Sequence, residues 1–346
     1  MGKVDSFQII LEKQSRIFIS GELLRGNLVV DVRERLKINK LELTLVGIGS
    51  VNWTEINTNG KTPRKELHRA EEQYAHDNLV FLAKEPNNDC YLEVGEQSFQ
   101  FQFQLPLNLP PNFKHENANV NYFLRGDIDI PWAFDETVYL RFTVISHFDL
   151  NVNPILRQPI ASEEIETLCC LCCKSDPIIA KLSISKTGFV SGEMLSFKTI
   201  LDNKSSGSMK YVSFRILQHI DCITISSSCT FTRLVSELAC PIKIKARMYE
   251  EWNDSVIIPK ICPSSNGTSK IMKIRYSAVL YVDPSDLHSD FDAFIPIVIG
   301  TVPIIQDNQN FELPSFEPSK IEAEKNDQLD EKQSAEVTNI NSNFQQ

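Results

Sequence analysis

FISGELL at Phe18–Leu24 returns as FVSGEML at Phe189–Leu195, 171 residues further on. Five of the seven positions are identical, and the other two exchange one aliphatic or thioether side chain for another. The register continues past the motif without a gap: Ile38 falls on Met209, Leu41 on Val212, Leu43 on Phe214 and Leu45 on Ile216. Apolar residues at alternate positions are the pattern of half-buried strands, because successive side chains of a strand point to opposite faces. A repeat that keeps register over several strands reads as two copies of one β-domain. Gly21 and Gly192 fall between strand-like segments, where a turn or bulge needs dihedrals that glycine adopts at little cost. The Ser-Gly-Glu motif therefore identifies the fold and marks no site.

Working outward, Leu28, Val30 and Val32 alternate with Val29, Asp31 and Arg33, and Leu41–Val46 alternates Leu with Glu and Thr. Phe99, Phe101 and Phe103 are separated by Gln100 and Gln102, which places three aromatics on one face and the amides on the other. Tyr139–Ile145 and Phe294–Ile299 are apolar runs near the end of each copy. Gly, Pro, Asn and Asp punctuate these segments every ten residues or so, as in β-sandwiches. Only Lys65–His76 has a charged, helix-like look. The expected fold is all-β: two immunoglobulin-type sandwiches in tandem, at 5–155 and 177–305. A cysteine-rich linker, 156–176, joins them. Beyond 305, charged and amide residues dominate and the apolar period is lost, so 306–346 reads as a disordered acidic tail.

Two domains of this size can each bury a core. The net charge of −10 argues against a protein built to coat nucleic acid, which needs concentrated positive surface. No run of about eighteen apolar residues suggests a membrane-spanning helix, and Met1–Gln14 has no signal-peptide core. Nine cysteines is an odd count, and four crowd into Cys169–Cys173, unlike an extracellular disulfide framework. The cytosol is the expected compartment, which makes the Asn-x-Ser/Thr triplets at Asn52, Asn203 and Asn266 chance matches.

Enzyme templates fail in turn: no Gly-x-Ser-x-Gly elbow, no His-Glu-x-x-His and no Walker loop is present. Gly47-Ile48-Gly49 lacks a third glycine and reads as a strand-end turn. The six histidines show no metal-site spacing. Asp127 and Asp129 share a strand face and read as a solvated strand-end pair rather than an acid–base dyad. Neither an enzyme nor a cofactor is expected. Cys169, Cys170, Cys172 and Cys173 admit three readings: structural or incidental thiols first, reversible S-acylation second, metal ligation third. Adjacent cysteines converge poorly on one tetrahedral ion, whereas clustered thiols are the usual acylation substrate. Met1-Gly2-Lys3-Val4-Asp5-Ser6 fits a myristoylation pattern in form, but an ordinary start is the preferred reading. Lys61, Arg64, Lys65 and Arg69 form a basic segment suited to an acidic lipid or a phosphorylated peptide. Glu66, Glu71 and Glu72 dilute it, so a solvated loop is the plain expectation.

An ordered set of segments resembles the α-arrestins, the arrestin-domain-containing proteins. They are Trp53-Thr54-Glu55, FQFQFQLP at Phe99–Pro106, YFLRGDIDIPW at Tyr122–Trp132, LNVNP at Leu150–Pro154, LCCLCCKSDP at Leu168–Pro177, GFVSGE at Gly188–Glu193 and IGTVP at Ile299–Pro303. The resemblance covers about residues 5 to 305 and implies two arrestin-like sandwiches side by side. It also implies an adaptor that docks on the cytoplasmic parts of membrane receptors or transporters and directs their endocytosis and endosomal sorting. Many members recruit WW-domain ubiquitin ligases through Pro-Pro-x-Tyr. Here the segment after Pro303 has Pro314 and Pro318 but no tyrosine. Pro110-Pro111-Asn112-Phe113 comes nearest and reads as a loop within the first copy. Any ligase link is therefore expected to run through another arrestin-domain protein. The second reading is a general cargo or ligand carrier of the retromer-like arrestin-fold type, without receptor sorting.

Overall fold

The structure is a computed structural model that describes residues 3–57, 63–167, 169–170, 173–174, 176–284 and 289–305. The expected tail, Gly2 and Lys61 lie outside the described residues. The first half runs β1 (Val4–Leu11), β2 (Ile17–Ile19), β3 (Leu23–Val32), β4 (Leu36–Ile38), β5 (Lys40–Asn57), β6 (Arg64–Ala83), β7 (Cys90–Leu92), β8 (Gly95–Gln104), β9 (Phe113–Lys114), β10 (Ala118–Asp129) and β11 (Glu136–Ile145). Two 3-10 turns, Leu150–Val152 and Pro154–Arg157, lead into the second half. There follow β12 (Ile160–Glu166), β13 (Cys169–Cys170), β14 (Cys173–Lys174), β15 (Ile178–Ile184), β16 (Gly188–Val190), β17 (Met194–Asn203), β18 (Tyr211–Ile223), β19 (Ser228–Ala239), β20 (Met248–Ile257), β21 (Met272–Asp283) and β22 (Phe291–Gly300).

Each half is a sandwich of two sheets. The first packs β1-β3-β8 against β2-β11-β10-β5-β6, and the second packs β12-β15-β17-β20 against β16-β22-β21-β18-β19. The alternation read from sequence is the burial pattern of the strands: β3 buries Leu24, Leu28, Val30 and Val32 and turns Arg25 outward. Phe101 and Phe103 are buried while Gln100 and Gln102 face solvent. In the second core Phe197 stacks on Phe214 at 4.0 Å and meets Trp252 edge-on at 5.0 Å. Such aromatic pairs add specificity to a core held chiefly by burial of apolar area.

The duplication extends to atomic detail. Gly21 and Gly192 both have left-handed backbones, at φ +86° and +88°. Each follows a three-residue strand that pairs in parallel with the last strand of its own half, β2 with β11 and β16 with β22. The motif glutamate closes the corner in both copies: Glu22 accepts from the Ile19 N–H and Glu193 from the Val190 N–H, each at 2.9 Å. Lys13 pairs with Glu22, holding its carboxyl below the usual carboxylate range, and Lys186 pairs with Glu193. Both ammonium groups lie 5.1 Å from the motif phenylalanine rings, Phe18 and Phe189. A second matched pair sits on β10 and β21. Tyr122 donates to the Pro110 carbonyl at 2.6 Å and Tyr276 to that of Cys262 at 2.5 Å, and burial pushes both phenols above their usual range.

Three expectations are corrected. Lys65–His76 is strand, part of the 20-residue β6. Its charges at mixed spacing hid a ladder that pairs it with β5 from Lys40↔Ala83 to Asn57↔Arg64. Gly47-Ile48-Gly49 is no strand-end turn but the middle of β5, at a bulge between Gly47 and Ile48. Glycine is needed there for close approach, since a Cβ would overlap the Tyr122 ring at Gly47 and the Tyr74 ring at Gly49. The segment read as linker contributes β12, hydrogen-bonded along β15 as an edge of the second sandwich.

Candidate interaction surface

The β5–β6 hairpin outgrows its own sheet. β10 accompanies β5 only as far as Ala118↔Val51, so Asn52–Asn57 and Arg64–Arg69 continue as a two-stranded arm. Strand alternation gives the arm two faces. The inner face carries Trp53 and His68, both buried, with rings stacked at 5.1 Å. Glu55 accepts from the Trp53 indole N–H at 2.9 Å and from Ser227 Oγ at 3.2 Å, across the two halves. The indole bond, first among several, holds the Glu55 carboxyl below its ordinary range. Glu55 Oε2 is also 3.4 Å from His68 Nε2, and Ser226 Oγ is 3.4 Å from His68 Nδ1. The turn joining β18 to β19 thus sits on the arm's inner face.

A second bridge lies nearer the arm's root. Ser269 Oγ donates to Glu72 Oε2 at 3.0 Å, and the Lys270 N–H donates to the same oxygen at 2.9 Å. Ser269 has one proton, so the 2.8 Å contact with Tyr74 is a bond donated by the tyrosine. Burial raises the Tyr74 phenol to about 12. Cys222 Sγ donates to the Asn117 carbonyl at 3.9 Å, and the His115 and Phe231 rings lie 5.6 Å apart. At the chain crossing, Thr301 accepts from the Phe148 N–H at 2.7 Å, and Asn151 Nδ2 donates to the Pro303 carbonyl at 2.8 Å. Polar bridges of this kind fix a relative orientation more than they add affinity.

The outer face is open. Register sets Ile56 opposite Lys65, Thr54 opposite Leu67, Asn52 opposite Arg69 and Ser50 opposite Glu71. Ile56 and Leu67 are 64% and 66% exposed, an apolar pair between cations. A groove of about 350 Å3 runs along Ser50, Asn52, Leu67, Arg69 and Glu71. Of the basic residues singled out from sequence, Lys65 and Arg69 share this face and Arg64 stands at the tip on the other. All three belong to β6 and not to the expected solvated loop. Arg69 lies 3.4 Å from Glu71 with both side chains solvated, a pair worth little.

The other sequence candidates fall elsewhere. Asp127 accepts from Arg125 at 2.7 Å and Thr137 at 2.9 Å, and Asp129 accepts from Asn39 at 2.8 Å, so neither carboxylate is set up as an acid–base partner. Phe113 is buried and Pro110 is the acceptor for Tyr122, which makes Pro110–Phe113 part of the first core. Cys169–Cys170 and Cys173–Lys174 pair as a small hairpin, and Cys172 lies outside the described residues. β12 first runs the length of the second sandwich, from Ile160↔Ile184 to Glu166↔Ile178. The hairpin consequently emerges beside Asn203, at the end away from the β18–β19 turn that touches the arm. The cysteines thus join the halves in sequence, not in space. Among the described residues no group of three or more His, Cys, Asp or Glu side chains is placed to hold a metal ion, and no helix is long and apolar enough to cross a membrane.

Sequence comparison agrees with this architecture half by half. The family description "Arrestin (or S-antigen), N-terminal domain" matches residues 7–151, and "Arrestin (or S-antigen), C-terminal domain" matches 174–304. The chain belongs to the arrestin family. Its relatives place it with the α-arrestins. Arrestin domain-containing protein 17 of Caenorhabditis elegans is 27% identical over 88% of this chain and 72% of its own length. Human arrestin domain-containing protein 5 is 24% identical over 90% and 96%. Human thioredoxin-interacting protein is 21% identical over 86% and 75%. An α-arrestin is an adaptor in type, a scaffold that works through protein contacts. The inner-face bridges, Glu55 to Ser227 and Glu72 to Ser269, left no trace in the sequence because they join residues more than 170 positions apart.

Proposed function

We propose that this α-arrestin binds the cytoplasmic parts of membrane receptors or transporters and directs their endocytosis, endosomal sorting and transport. The observation that carries this reading is the β5–β6 arm. One face is braced on the second sandwich, while the other presents Ile56 and Leu67 between Lys65 and Arg69. A rigid apolar strip flanked by cations suits an amphipathic cytoplasmic segment with acidic or phosphorylated residues. Recruitment from the cytoplasm to plasma membrane and endosomes follows from cargo binding. S-acylation of Cys169, Cys170, Cys172 and Cys173 would add a lipid contact. The domain limits proposed are 5–155 and 177–305. A ubiquitin ligase joins indirectly, through an arrestin-domain partner that carries the Pro-Pro-x-Tyr ligand of WW domains.

The test is a photocrosslinker at Leu67 in the full-length chain, in cells, followed by identification of the products. Receptors or transporters linked through cytoplasmic segments, and lost with Arg64→Glu/Lys65→Glu/Arg69→Glu, are the expected result. Products confined to soluble proteins would refute receptor sorting in favour of a cargo carrier. Micromolar binding of isolated WW domains to the purified chain would overturn the indirect ligase link.

A further inference from the structure

β8 ends its sheet in the order β1-β3-β8, so one side of its backbone has no strand beside it among the described residues. Which groups face that side follows from the ladder. The Leu105 N–H donates to the Glu22 carbonyl and the Glu12 N–H to that of Arg25. Hydrogen-bonding direction alternates along a strand, so even residues of β3 bond to β8 and odd ones to β1. By the β3–β8 register, odd residues of β8 bond to β3. Ser98, Gln100, Gln102 and Gln104 therefore turn their N–H and C=O groups to the open edge.

This edge lacks the usual protection. Free strands discourage pairing with another chain by carrying charge or proline. β12 carries Glu163, Glu164 and Glu166, and β20 carries Glu250, Glu251 and Asp254. β6 has Arg64, Lys65, Arg69 and several acids, and β19 has Arg233 and Glu237. β1 carries Asp5 at its second position, next to an uncharged run from Ser6 to Leu11. β8 has no charge and no proline from Gln97 to Gln104.

We propose that β8 is a self-association surface, where two copies pair β8 with β8 antiparallel about Phe101. The sequence SFQFQFQ, Ser98–Gln104, is nearly the same read in either direction. A two-fold axis at Phe101 sets Gln100 against Gln102 of the second copy, Ser98 against Gln104, and Phe99 against Phe103. Those even pairs are the ones with open backbone groups, so the pairing makes about eight new backbone hydrogen bonds. The glutamines form amide pairs on the outer face, and no like charges meet. The phenylalanines extend the apolar layer beneath. Phe99 is half-buried and lies 5.4 Å from Phe81, leaving aromatic surface at the seam for the second copy to cover. A groove of about 510 Å3 beside it is walled by Leu79, Val80, Phe81, Gln100 and Gln102, with Val80 half exposed, and reaches the oppositely charged Glu12 and Arg25, the latter donating to Gln102 at 3.0 Å. A second copy is the occupant favoured by this symmetry, because an isologous contact requires a surface complementary to itself.

Sedimentation velocity on the full chain across the micromolar range tests this with a charge swap. The wild type is expected to show a monomer–dimer equilibrium. Gln100→Lys/Gln102→Lys places lysine opposite lysine across the axis, as Gln100→Glu/Gln102→Glu does with carboxylates, and each is expected to weaken dimerisation at least about tenfold. An equimolar mixture of the two variants is expected to dimerise again, which variants that had merely unfolded cannot do. A wild type monomeric throughout, a dimer that survives either variant, or a mixture that fails to re-form would overturn the proposal. So would a photocrosslinker at Gln102 that reaches the chain's own segment beyond Ile305, or another protein, instead of β8 of a second copy.

Discussion

Ser269→Ala should loosen the two halves from each other. Ser269 is buried and serves three partners: it accepts from Tyr74 and from the Met272 N–H at 3.1 Å, and it donates to Glu72. Neutral hydrogen bonds contribute about 0.5–1.5 kcal/mol each and those to a charged group about 1.5–3 kcal/mol. Glu72 keeps the Lys270 N–H and Tyr74 is partly solvated, so both recover part of their loss. The Met272 N–H is left buried without its acceptor, at about 1–3 kcal/mol. The expected net loss is about 3 kcal/mol. Tyr74→Phe removes a donor alone and should cost about 1 kcal/mol. In a double-mutant cycle the pair should couple by roughly 1 kcal/mol, since the two single changes break the same bond. Urea unfolding followed by tryptophan fluorescence reads this, with Trp53 on the arm and Trp252 in the second sandwich. A loss below about 0.5 kcal/mol for Ser269→Ala, or additive single changes, would refute the bridge as a link between the halves.

Gly21→Ala and Gly192→Ala should both destabilise, by about 1–2 kcal/mol for the left-handed backbone. The two losses should be similar, because a Cβ at Gly21 meets only the tip of the exposed Leu107 side chain, which can swing aside, and Gly192 has open space around it. A loss of thermal stability confined to one of the two positions would contradict this. Tyr74 is neutral in the fold with its phenol raised to about 12, against about 10 in the unfolded chain. Its contribution is therefore complete below about pH 10 and is lost as pH rises from about 10 towards 12. Tyr74→Phe should remove that part of the alkaline loss of stability, and an unchanged pH profile would count against it. Hydroxylamine-sensitive acyl exchange on protein from cells should label the wild type and fail after Cys169, Cys170, Cys172 and Cys173 are all changed to Ser. Equal labelling of the two would dismiss acylation at the hairpin.

The repeated Ser-Gly-Glu corner was legible because its requirements are local: a left-handed glycine, a glutamate folded back on the preceding N–H, and a buried phenylalanine. The alternation in β3 and β8 was legible for the same reason. β6 was not. It is an edge strand whose arm has solvent on its outer face, so its exposed charges follow no period of two, and only the ladder with β5 determines its conformation. The basic residues were found as a group, but which of them share a face required knowing they lie on a strand. The path to the cysteines was not legible because nothing in their own composition tells that β12 carries the chain along a whole sandwich before they begin. The bridges between halves depend on partners brought together by tertiary packing alone.

The parallel pairing of β2 with β11 and of β16 with β22 has a consequence for the order in which the chain folds. Each early three-residue strand waits for the final strand of its own half, so neither sandwich can close until nearly all of it has been synthesised. The first half meets this condition once Ile145 is free of the ribosome. Its arm does not: Trp53 and His68 gain their cover only when Ser226 and Ser227 arrive, some eighty residues later. At about 5–20 residues per second that interval lasts several seconds. During it a two-stranded ribbon projects from a finished domain with the Trp53 indole uncovered, a transient apolar site for a chaperone to shield.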